Sequence, residues 1–145
     1  MLHDYFIATP TELDIEVSSS GPGSRFESMD GCGIDSIMLA SLHSILLGES
    51  EEESIQNVSE RGAKPLDLGA QQESWLFEVI PDFLDRVLSL AKKEELTVGR
   101  AWARTEEFGG MGLSDEDFAA WIGSIRRLTQ RAKEQKKQVY LWTSL

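Results

Sequence analysis

Residues 114 to 145 read SDEDFAAWIGSIRRLTQRAKEQKKQVYLWTSL, a helix followed at once by a strand. Ser114 is a capping residue, and Asp115, Glu116 and Asp117 fill the first turn, where the positive end of the helix dipole favours carboxylates. Arg131, Lys133, Lys136 and Lys137 gather at the opposite end, as the same dipole prefers. Phe118, Trp121, Ile122, Ile125 and Leu128 recur at the three-and-four spacing of a buried stripe. Val139 to Leu145 then turns aromatic and β-branched, the composition of a strand.

Working outward, Asp4 to Thr9 has the same strand composition and stops at Pro10, which cannot donate to a ladder. Leu13-Asp14-Ile15-Glu16-Val17 alternates apolar and acidic residues, which predicts a second, half-buried strand. Ser18 to Gly33 is dense in glycine and serine and reads as an irregular segment with a short extended piece around Phe26. A helix follows from Asp35, its N-cap, to Leu47, with Gly48 as its stop. Ile34, Ile37, Met38, Leu39, Leu42, Ile45 and Leu46 cover most of its circumference and leave Ser36, Ala40, His43 and Ser44 as a narrow remaining strip.

Ser50 caps a short helix ending near Val58, Gly62 to Glu73 reads as loop, and Trp75 to Ile80 reads as a strand ended by Pro81. Pro81 opens a helix carrying Phe83, Leu84, Val87, Leu88 and Ala91 on one face. Val98, Trp102, Thr105 and Phe108 define a further helix that terminates at Gly109-Gly110. The expected fold is α+β in a single globular domain over residues 1–145, a small sheet of about three to four strands packed against four to five helices. The strand order is left open.

Charge divides the chain: residues 1–73 hold 14 acidic and 3 basic residues, residues 74–145 hold 11 of each. The acidic excess repels phosphates and anionic lipid, which argues against nucleic-acid and membrane partners and leaves a basic protein partner open. Solubility alone is the commoner reason for such a charge. Cys32 is the only cysteine, which excludes an intramolecular disulfide and any multi-thiolate metal site. With no basic, apolar leader at Met1 to Tyr5, the expected compartment is the cytoplasm.

Cys32 lies between two glycines, and His43 is the one internal histidine that would lower its pKa or take its proton. An isolated cysteine is more often packed than reactive, and a lone helix histidine is usually structural. Gly21-Pro22-Gly23, Gly31-Cys32-Gly33 and Gly109-Gly110-Met111-Gly112 are glycine-rich, but none completes a phosphate-binding pattern. Glu51-Glu52-Glu53 and Glu106-Glu107 are adjacent acids that point about a hundred degrees apart on a helix, so they read as solvated surface. Trp102 and Trp121 sit in apolar stripes, whereas Trp142 alternates with Tyr140 and Ser144 and is the tryptophan assigned, with Glu51, Glu52 and Glu53, to an interaction surface. The run Arg126, Arg127, Arg131, Lys133, Lys136 and Lys137 reads as a solvated helix face. No cofactor or metal site is expected.

Tyr5-Phe6 followed by Pro10-Thr11-Glu12-Leu13, together with Gly33-Ile34-Asp35 leading to Leu42-His43-Ser44-Ile45-Leu46-Leu47-Gly48, resembles the YfbM-like family of small uncharacterised bacterial proteins. The helix tryptophan of that family has no counterpart here, and the ending Tyr140 to Leu145 resembles a separate group of hypothetical bacterial proteins. The resemblance implies an α+β fold and carries no functional residue over. The leading functional expectation is a non-enzymatic interaction protein, of the immunity or antitoxin type, that covers a basic protein with its acidic half. The alternative is a small hydrolase or transferase using the Ser18 to Gly33 loop with Cys32 or His43. Monomer and homodimer are both open.

Overall fold

The computed structural model describes residues 1–69, 73–105 and 112–145, apart from the side chains of Glu51, Ser54 and Ile55. Five strands, β1 (Leu2–Ala8), β2 (Ser28–Asp30), β3 (Ala63–Leu66), β4 (Ser74–Val79) and β5 (Gln138–Ser144), form one antiparallel sheet in the order β2-β1-β5-β4-β3. The first and last strands pair along their whole length, from Leu2 opposite Ser144 to Ala8 opposite Gln138. Among the described residues the helices are α1 (Ile15–Ser20), α2 (Ser36–Leu47), α3 (Glu51–Gln56), α4 (Val58–Arg61), α5 (Pro81–Leu88), α6 (Lys92–Ala103) and α7 (Asp115–Gln135), with a 3-10 turn at Pro10–Glu12. The α+β class therefore holds, with more strands and more short helices than the sequence suggests.

Both faces of the sheet are covered. Tyr5, Ile7, Val139 and Leu141 point into the main core with Leu39 and Leu42 of α2, Phe83 of α5, Trp102 of α6, and Phe118 and Ile122 of α7. Phe6, Ala8, Leu76, Tyr140 and Trp142 point the other way, into a smaller core closed by Val17 and Phe26. The segment after α1 is thus packed as a cover. At Gly21, φ is +80° and a Cβ would stand 2.9 Å from the Trp142 ring, so both backbone and space require glycine there.

Two expectations fail for instructive reasons. Leu13 to Val17 is not a strand: Asp14 caps α1 by accepting from the Val17 N–H at 2.9 Å and pairs with Arg25. Leu13 and Val17 are four apart and share a helical face, whereas Ile15, which a strand would bury beside them, is 60% exposed. Gly62 to Glu73 is not all loop, because β3 runs through Pro65 on the sheet edge, where the missing donor is tolerated.

On α2 the Asp35 cap and the Gly48 stop are as expected. The strip assigned to its remaining face is largely buried, however: Ala40, His43 and Ser44 lie inside, while Ile37 is 46% exposed. Arg61, at the end of α4, presents its carbonyl to His43, so α4 packs against this side of the helix. The α7 cap is a full box, with Asp117 N–H donating to Ser114 Oγ and Ser114 N–H to Asp117 Oδ2. α6 ends at Ala103; the expected terminus at Phe108, Gly109 and Gly110 lies outside the described residues, as do Glu106 and Glu107.

Candidate functional site

Trp121 donates its Nε1–H to the Gly31 carbonyl at 3.1 Å, and Tyr5 donates its hydroxyl to the Ile34 carbonyl at 2.9 Å. The two rings meet edge to face, with centroids 5.3 Å apart. They pin from below the tight turn between β2 and α2, in which Cys32 adopts a positive φ of 52°. Asp30 stabilises the turn from above by accepting the Cys32 N–H at 2.7 Å. Cys32 is therefore exposed on a firmly placed loop.

Between this turn and the first half of α7 lies a cleft of about 430 Å³. Its walls are Ile34, Phe118 and Trp121, with Met29, Leu113 and Ala120 beside them. Asp30, Cys32, Asp117 and Ser124 supply the polar atoms. Burial and the carboxylates of Asp30 and Asp117 push the Cys32 thiol above its ordinary range, so it stands protonated at neutral pH, the reverse of an activated nucleophile.

His43 does not join Cys32. Its Nδ1 faces the Arg61 carbonyl and its Nε2 lies 3.1 Å from Asp82 Oδ2, while its ring meets Phe83 edge on. Asp82 is held below the usual carboxylate range, chiefly by Arg86 and then by His43. Both imidazole nitrogens are thus committed to joining α2, α4 and α5, and among the described residues no contact links His43 to the thiol.

Trp142 is buried under Gly21, with Nε1 donating to the Ser18 carbonyl at 2.9 Å, so its side chain belongs to the second core and offers no surface. The tryptophan that sequence reasoning missed as exposed is Trp75, 43% accessible at the start of β4. Its neighbours in the strand, Ser74 and Leu76, are buried on the opposite face of the sheet.

The acids of the first half divide into two groups. Glu12, Asp14, Glu16, Glu27 and Glu49 pair with Lys137, Arg25, Arg131 or Arg61, so two members of the basic run, Arg131 in α7 and Lys137 just beyond it, reach the acidic half. Glu49 takes Arg61 with both oxygens, at 2.9 and 3.0 Å. Glu52 and Glu60 are exposed and make no ion pair among the described residues. Glu53 accepts from the Ser50 N–H at 2.9 Å and so caps α3, while the Glu51 side chain lies outside the described residues.

No protein-family model, curated protein or solved structure matches the chain. Among the described residues no group of histidine, cysteine, aspartate and glutamate is arranged to hold a metal ion, and no helix is long and apolar enough to cross a membrane.

Proposed function

We propose that the protein is a non-enzymatic interaction module that binds a basic protein partner through the surface of α3 and α4, in the manner of an immunity protein or antitoxin. The observation that supports this is the charge of that surface. Glu49, Glu51, Glu52, Glu53 and Glu60 fall within a dozen positions, and the cation that follows them, Arg61, is already held by Glu49. Uncompensated charge of one sign on exposed helices speeds encounter with the opposite sign and rejects like-charged partners. A cytoplasmic setting, and a distant kinship with the YfbM-like proteins, are compatible with this reading. The enzymatic alternative has no comparable support, since its thiol is protonated and its histidine is engaged elsewhere.

The test uses tagged protein recovered from its native cell, followed by binding of the purified basic partner to the wild type and to a Glu52→Lys/Glu60→Lys variant. Neither residue caps or pairs, so the variant keeps the fold. Affinity is expected to fall at least tenfold on charge reversal, and steeply between low and high salt. A partner that binds both proteins equally, or the absence of any basic partner, would sink the proposal.

A further inference from the structure

We propose that the cleft between the β2–α2 turn and α7 binds a small organic cation, an ammonium or guanidinium group carried on an apolar body. The cleft and the α3–α4 surface share no residue, so this site stands apart from the protein partner proposed above. At about 430 Å³ the cleft falls in the range of small-molecule sites, which are mostly apolar with a few fixed polar groups. Ile34, Phe118 and Trp121 provide the apolar body's surface, and they are buried and held by the hydrogen bonds beneath the turn.

The polar groups decide the sign of the ligand. Asp30 and Asp117 both line the cleft, and among the described residues no lysine or arginine does. Each carboxylate is aimed by one backbone N–H: Asp30 Oδ1 accepts from Cys32 and Asp117 Oδ2 from Ser114, at 2.7 and 2.8 Å. Neither forms an ion pair among the described residues, which leaves the charge of each for a donor from outside. The backbone makes the acidity here costly, because Asp30 lies directly opposite Asp4 in the β1–β2 register, an unfavourable like-charge pair. Burial and Asp30 accordingly raise the Asp4 carboxyl above its ordinary range. The first two guanidiniums along α7 are engaged, Arg126 with the Leu90 carbonyl at 2.6 Å and Arg127 with Ser124 Oγ at 3.1 Å, and each lies more than two helical turns beyond Asp117. The ligand's cation therefore belongs at the Asp30 and Asp117 end, with its body along Phe118 and Trp121, where the indole face adds attraction for a positive charge.

Three probes of one shape, phenethylamine, phenethyl alcohol and phenylacetate, distinguish the possibilities when titrated into ¹⁵N-labelled protein at low salt. The expected result is saturable movement of the Trp121 indole N–H and of the residue 29–34 amides, with the ammonium bound roughly tenfold more tightly than the alcohol. Phenylacetate should bind most weakly. Asp30→Asn/Asp117→Asn, which keeps a carbonyl oxygen for each backbone donor, is expected to bring ammonium and alcohol within about threefold of each other, chiefly by weakening the ammonium. Ala120→Trp, which fills the cleft from an exposed helix position, should remove all binding. Equal affinity for the three probes on the wild type, shifts located away from the cleft, or no saturable binding would each overturn the proposal, and none of these depends on a variant folding.

Discussion

His3 shows how one residue's titration is set by its neighbours. Its ring is buried at the open end of β1, with Nδ1 3.1 Å from Thr143 Oγ1 on β5. Burial holds its pKa below the ordinary histidine value of 6.5, against the opposing pull of Asp35 and Asp4. Below that value the unfolded chain takes up a proton that the folded chain resists, so stability is full above pH 6.5 and is lost as pH falls towards the folded-state value. His3→Asn, which keeps a polar group toward Thr143, is expected to flatten this limb: melting temperature measured from pH 7 to pH 5 should fall less in the variant. Parallel curves would show that His3 carries none of the slope. Nothing in the sequence marks His3 as buried, because its partner lies 140 residues away. Cys32 is similar: its exposure follows from its glycine neighbours, but the carboxylate that raises its thiol from α7 is set by tertiary contact.

At the scale of elements, capping chemistry was the most legible signal. Asp35 and Ser114 cap α2 and α7 as their positions in the sequence require, because the unsatisfied N–H groups of a first turn need a local acceptor. The same rule, applied to Asp14, identifies α1, and the short alternation around it misleads because five residues fit either period. Helix contacts are less legible. Gly99 sits inside α6, where propensity alone predicts that alanine would add about 1 kcal/mol of stability. A Cβ there would meet the backbone of α7 instead, 2.9 Å from Ala119 N and 3.2 Å from its Cα. Gly99→Ala is therefore expected to destabilise by roughly 1 kcal/mol net, since forced overpacking costs about 1–3 kcal/mol. Urea denaturation would read the sign directly, and a stabilised variant would mean that the helices separate without penalty.

Across the whole molecule, the charge of the acidic half is only partly offset by ion pairs with Arg131 of α7 and Lys137 just beyond it, and a net charge of −11 remains. Exposed pairs contribute about 0–1 kcal/mol each and weaken with salt, while repulsion among the remaining carboxylates is relieved by it. Repulsion outweighs pairing at this imbalance, so the melting temperature is expected to rise between about 20 and 200 mM sodium chloride, over which the Debye length shrinks from roughly 20 to 7 Å. A falling melting temperature would assign more stability to the ion pairs than exposed pairs usually carry. The sequence by itself determined the α+β class, the capped helices, the strands at either end and the acidity of the first half, because these depend on local periodicity, capping and composition. Only the tertiary structure decided the order of the strands, that Trp142 is core and Trp75 surface, and that Cys32 faces α7 rather than His43. Those outcomes depend on which face each segment buries, and that is settled by contacts between residues far apart in the chain.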